Sequence, residues 1–348
     1  MKTISHRARF SGFMFIALCF TLLAASPATT PGVKPEATNI IYQSNDGGQT
    51  WQDVSASLPE QVQPEGFFAG ESDLYMSVND VMYHSKSNLK TPVWEKEQVV
   101  DQRSTITFNQ SGALAYSYDG YIYRKKPSSD PDSYRDWLPI YTNLITHSVQ
   151  TIFEASDGAV FFSTGKSLSK SVDKGLSWKL IQKGGVDNFV ESDGVLLATG
   201  QKGIMRSTDQ GEHWEWVISE GGVGITVERI NGGFAAIAYS TQTKSRRISI
   251  SLDNGKTWKA IDEGLPPSLS ISSIKQVGKY LVVGHPDGIF RSSDMGKTWH
   301  VVHQGVDPAI PVFRTASSGA PANDKRKVFT IYASGNVLYA VARNAFGC

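Results

Sequence analysis

Cysteine is nearly absent from this chain, whose 348 residues carry only Cys19 and Cys348. One lies inside an apolar N-terminal stretch and the other is the last residue. No internal disulfide framework can therefore hold the fold, and a packed core has to do so. A charge of one sign is missing too. Lys and Arg number 34 against 33 Asp and Glu, so no global field gathers nucleic acid or an acidic membrane. No segment sustains a 3.6-residue apolar period, which excludes a helical bundle. Metal and phosphate motifs are lacking as well. His300-Val301-Val302-His303 sets its imidazoles three apart on a strand pattern, hence on opposite faces. Gly200-Gln201-Lys202-Gly203 and Glu220-Gly221-Gly222-Val223-Gly224 precede no helix, so neither is a phosphate loop. Lys244-Ser245-Arg246-Arg247 reads as solvated hairpin surface rather than a nucleic-acid site. The residues point to no metal and no cofactor.

Long apolar runs are confined to the N-terminus. Lys2, Arg7 and Arg9 precede the apolar run Phe10 to Leu23, and Ala24-Ala25-Ser26 or Ser26-Pro27-Ala28 could precede a cut. Residues 1–28 read as a secretory signal, which predicts a secreted or periplasmic protein. The run is shorter than the ~20 residues that span a bilayer, and Ser11, Gly12 and Thr21 interrupt it. No membrane span is expected in the mature chain. A lipoprotein would need Cys19 acylated, but Leu18 is too bulky for that site and the apolar run continues past it. Removal of residues 1–28 leaves 31 basic and 33 acidic residues, a net charge of −2. Residues 29–38, with Pro31 and Pro35, form a short linker.

What the chain does have is repetition. Five segments share Ser-x-Asp-x-Gly-x-(Thr/Ser/His)-Trp: Ser44 to Trp51, Ser171 to Trp178, Ser207 to Trp214, Ser251 to Trp258 and Ser292 to Trp299. Trp51, Trp94, Trp137, Trp178, Trp214, Trp258 and Trp299 then follow one another at 43, 43, 41, 36, 44 and 41 residues. Upstream of Trp94 and Trp137 lie Val81-Met82-Tyr83-His84-Ser85 and Tyr121-Ile122-Tyr123-Arg124, which match the strand before each intact octapeptide. Those two units have lost the octapeptide itself. Seven units result. In the unit ending near Trp299, Ile271–Gln276, Lys279–Gly284, Ile289–Ser293 and Trp299–Val302 read as four strands. Four short strands per ~40 residues is the blade period of a β-propeller. The fold class is therefore all-β, a seven-bladed propeller over residues 39–348. The chain opens at a third strand, Asn39–Tyr42, and closes on a first and a second, Lys327–Tyr332 and Asn336–Val341. The two ends should complete one blade and close the ring. Gly305 to Arg326 is the longest connection.

These octapeptides resemble the Asp-box, or bacterial neuraminidase repeat, family over nearly the whole mature chain. Asp46, Asp173, Asp209, Asp253 and Asp294 are not read as catalytic, because five equivalent copies around a ring cannot converge on one substrate. Each Asp should bond backbone N–H groups two residues on. Each following Gly should take a conformation other residues adopt at a cost, and Trp51, Trp178, Trp214, Trp258 and Trp299 should bury their rings under the turn. The resemblance also places the boxes on the rim away from the central funnel. Sialidases carry this box, but the Phe/Tyr-Arg-Ile-Pro segment they imply is missing, with only Phe313-Arg314-Thr315 as an echo. Their six blades also differ from seven. The chain is more similar to photosystem II assembly-factor-like propellers, which implies a non-catalytic scaffold for a protein partner. A sialidase-type exo-glycosidase and a glycan-binding lectin are the alternatives.

Propeller ligands usually meet the face made by the connections from strand 2 to 3 and from blade to blade. Mapping those connections gives Arg103, Tyr118, Asp119, His147, Lys166, Lys202, Glu220, His285, Asp287, Arg314 and Arg343 as candidate contacts. They are polar, mixed in sign and partly aromatic, as a protein or glycan contact surface is.

Overall fold

The structure is a computed structural model. It describes residues 39–344 apart from 57, 59–63, 88, 99–103, 110–111, 118–120, 127–136, 141–148 and 306–326. The expected signal 1–28, the linker 29–38 and nearly all of the long 305–326 connection lie outside the described residues.

The second strands decide the architecture. Val195–Gly200 is buried at every position, and in Tyr280–His285 only the first residue is partly open. Such a strand needs apolar cover on both faces. Neighbouring sheets supply it: Leu197 and Ile204 of one sheet pack with Val227 and Phe234 of the next. Repeated around a circle, this arrangement gives seven four-stranded antiparallel sheets, the blades of a seven-bladed β-propeller. The described residues contain no helix. In nearly every pair of successive blades the first strands touch one another, so they surround the axis.

Ring closure runs as the termini imply. Blade 1 is built from Lys327–Ser334, Val337–Asn344, Ile41–Ser44 and Gln52–Asp53 in that order. Its seam sets Ile41 opposite Val341 and Ser44 opposite Leu338. Without it, the buried strand Ile41–Ser44 and the buried middle of Val337–Asn344 would be two open edges.

The octapeptides form the hairpins between strands 3 and 4 of five blades. In each, the serine hydroxyl accepts the N–H of the glycine four residues on, as Ser251 does from Gly255 at 2.9 Å. It also donates to the aspartate, 2.7 Å from Ser251 to Asp253. The aspartate spends its remaining capacity three and four residues on, not two: Asp253 accepts Lys256 N–H, Thr257 N–H and the Thr257 hydroxyl. The wider reach follows from the backbone, because two successive residues lie at positive φ. Gln210 (60°) and Gly211 (81°) are such a pair, as are Asn254 (60°) and Gly255 (77°). In three of them the tryptophan N–H closes the loop on the glycine carbonyl, at 3.0 Å for Trp214, whereas Trp299 donates to Ile261 O of the preceding blade.

The hairpins also join blades. A Cβ on Gly211 would stand 2.6 Å from Phe161 of the preceding blade, and one on Gly296 2.7 Å from Ile261. From the other side, the residue before the box serine reaches forward. Arg206 donates to Asn254 O, Arg291 to Gly47 O, and Lys170 pairs with Glu212. Blades 2 and 3, which lack octapeptides, use a buried charge instead. Glu97, 4% exposed, accepts from Lys125 at 2.7 Å and from the Trp137 indole at 3.3 Å.

Candidate functional site

In an antiparallel four-stranded blade, the strand 2–3 turns and the blade-to-blade connections share one end, and the octapeptide hairpins occupy the other. The octapeptide carboxylates are spent inside their own hairpins. Hydrogen bonds from the Ser177 and Thr298 hydroxyls and backbone hold Asp173 and Asp294 down at about 2. The His213 backbone and side chain hold Asp209, and the Thr257 hydroxyl and backbone hold Asp253, well below the usual carboxylate range.

At the turn end, Lys166, Lys202 and Glu220 are exposed, each on a separate turn or connection. Arg343, near the end of Val337–Asn344, is half-buried, and its Nε has no hydrogen-bond partner. Arg103, Tyr118, Asp119, His147 and Arg314 lie outside the described residues. The structure does bring His285 and Asp287 together, though not as an open contact. His285 is 1% exposed; its Nε2 lies 2.9 Å from Pro266 O and its Nδ1 accepts Asp287 N–H at 3.0 Å. Those partners set the neutral Nε2–H tautomer. His285 is a buried pin between one blade's turn and the preceding connection rather than an open side chain. Its place at the end of a buried second strand dictates that outcome.

The pinned connection belongs to blade 6, and here the chain departs from its repeat. Strands 2 and 3, Gly233–Ser240 and Ser245–Ser251, run to eight and seven residues, against six and five in blades 5 and 7. The tip, residues 241–244, is fully exposed. The connection after strand 4 folds back over this hairpin. Arg247 holds Asp262 through Nε at 2.5 Å and Nη2 at 2.9 Å, and Arg246 Nη1 donates to Ile271 O at 2.9 Å. Ile261, Leu265 and Ile271 anchor it in the core. Between hairpin and connection lies a cleft of about 490 Å³ lined by Thr243, Arg246, Arg247, Glu263, Pro266 and Pro267, among others. The cluster Lys244–Arg247 is thus not plain solvated surface: Ser245 is buried, both arginines are half-buried and engaged, and only Lys244 stands open. The signal was available in Arg246-Arg247 at a strand start and Pro266-Pro267 in the connection that follows, but neither belongs to the repeat.

No family model matches the sequence, and no curated protein matches it. Solved structures do. The chain is similar to YCF48 bound to a D1 peptide, at 16% identity over 71% of this chain and 84% of that one, TM-score 0.51. It is also similar to the GH74 xyloglucanase from Xanthomonas campestris, at 12% identity, 85% and 56% coverage and TM-score 0.56. An ancestral GH74 enzyme follows at 11% identity, 86% and 49% coverage and TM-score 0.52. The propeller is what they share. This chain spans about half the length of the two GH74 enzymes.

Proposed function

We propose that this chain is an exported, non-catalytic binding scaffold for a protein partner, an Asp-box propeller of the photosystem II assembly-factor-like type. The blade-6 cleft carries this reading. There strands 2 and 3 run longer than in the neighbouring blades and a connection folds back over them, at the end where connections can converge. Its lining mixes guanidinium and carboxylate groups, hydroxyls and prolines, the chemistry of a polar protein contact rather than of a reacting centre. That YCF48 is seen with a peptide bound supports a propeller of this size acting as a peptide reader. Export rests on the charged, apolar and small-residue order of residues 1–28.

The test is site-directed photocrosslinking in the native extract. A photoreactive residue at Thr243, Lys244 or Pro267 should capture one and the same protein, and one at Asn254 or Lys256 on the hairpin rim should not. Capture from the rim alone would overturn the choice of face. Binding of the cleft to glycans, with no protein captured, would favour the lectin. Release of sialic acid from a fluorogenic sialoside, lost on Arg314→Ala, would favour the glycosidase.

A further inference from the structure

Blade 4 carries an octapeptide unlike the other four. At the sixth position the others place Gln49, Glu212, Lys256 and Lys297, but blade 4 places Leu176. At the second position it places Val172, where three of the others are Asn45, Thr208 and Ser293. Both side chains stand in water: Val172 is 77% and Leu176 72% exposed, and Leu180 on the adjoining edge strand, Lys179–Lys183, is 57% exposed. The hairpin needs no apolar residue there, since the copies with polar side chains make the same serine–aspartate bonds. Three solvated aliphatic groups on one hairpin are the kind of patch that marks a contact.

The surroundings are basic. Lys174 at the hairpin turn is exposed, and Lys179 at the hairpin end of the edge strand is 69% exposed. With Lys170, three lysines face two carboxylates: Asp173, bound within its own hairpin, and Glu212, shared by Lys170 and Lys179. The local balance is positive although the whole chain is nearly neutral.

We propose that the blade-4 hairpin docks on an anionic lipid surface, with Val172, Leu176 and Leu180 entering the headgroup layer and Lys174 and Lys179 beside the lipid phosphates. Size argues for lipid over protein. Three aliphatic side chains on a hairpin tip fall well short of the ~800 Å² per partner of a standard protein interface. Interfacial binding, in contrast, accumulates from a few buried apolar groups and from each lysine held near an anionic leaflet. The hairpin lies at the opposite end of its blade from the turns, so the blade-6 cleft stays open to a partner.

The experiment uses residues 36–348, the compact unit that contains all seven blades, which removes the apolar N-terminus from the readout. Flotation with phosphatidylcholine vesicles, and with vesicles also holding phosphatidylglycerol, should show binding to the anionic set alone, weakening as salt rises. Leu176→Glu should lower the partition by about tenfold or more, and Lys174→Glu by several-fold. Leu252→Glu, on the blade-6 hairpin, should leave it unchanged. These positions are exposed, so wild-type melting should be retained and confirms folding. Equal binding to neutral vesicles, or binding indifferent to Leu176→Glu, overturns the proposal. So does a dimer that Leu176→Glu dissociates while no vesicle binds, since the patch would then belong to a second copy. None of these outcomes bears on the cleft, whose crosslinks are read separately.

Discussion

Replacing Gly211 by alanine separates two things a box glycine could be doing. Gly211 sits at φ +81°, where a side chain is strained, and its new Cβ would meet the Phe161 ring at 2.6 Å. Gly232 provides the control, because it sits at φ +79° with nothing within 4 Å of a Cβ. Strain at such a φ costs about 1–2 kcal/mol, offset by about 0.4–1 kcal/mol from the loss of unfolded-state freedom. Gly232→Ala should therefore cost about 1 kcal/mol. Gly211→Ala adds an overpacking cost of about 1–3 kcal/mol, because Phe161 is fully buried and packed among the rings of Phe153, Phe189 and Trp214. The sum is about 2–4 kcal/mol. In a domain of this size that lowers the melting temperature by roughly 3–6 °C, against about 1.5 °C for Gly232→Ala. Circular dichroism melts of both variants decide the matter. Equal shifts would refute the claim that the octapeptide turns are seated against the preceding blade.

Removing residues 327–348 deletes two strands of blade 1 and strips Ile41 and Tyr42 of their partners, so the truncated chain should aggregate or lose most of its thermal stability on light-scattering melts. Gln210→Gly should be neutral or stabilising by up to about 1 kcal/mol, since Gln210 holds φ 60° while exposed; a clear loss in urea titration would contradict the strain argument. Glu97→Ala should cost about 3 kcal/mol, because it strands Lys125 and the Trp137 indole; Lys125→Met with Glu97→Gln should recover part of it. The octapeptide carboxylates are held below the unfolded value of ~3.9, so their contribution is present above that pH. It should fade as pH falls toward about 2, where Asp173 and Asp294 take up protons. Urea midpoints that do not fall from pH 5 to 2 would contradict this.

How much of this was legible depended on whether a residue belonged to the repeat. The tryptophan spacing exposed even the blades without an octapeptide, because a wedge between sheets is a packing demand that survives when the hairpin chemistry does not. The split blade was legible because the chain starts and stops at complementary strands. Bond partners within the hairpin were less so: the reach of Asp253 to Lys256 and Thr257 depends on two successive positive-φ residues, and only one is marked by glycine. The forward cations Lys170, Arg206 and Arg291 were readable as a basic residue before the box serine, yet their targets lie in the next blade. At the candidate site the local environment of each side chain was least legible. His285 has the composition of a contact residue, but a buried second strand and Pro266 O claim it. Arg247 has the look of open surface, but a connection fifteen residues on folds back to place Asp262 against it. Such pairings follow from how a non-repeating segment returns over its blade, which periodicity does not encode.

The most direct test of the central claim, that the turn-and-connection end carries the partner, is hydrogen exchange with and without the protein captured from Thr243. Protection should rise in residues 241–247 and 261–272, with the hairpins 207–214 and 251–258 unchanged. Protection confined to those hairpins, with the blade-6 cleft exchanging as before, would contradict it.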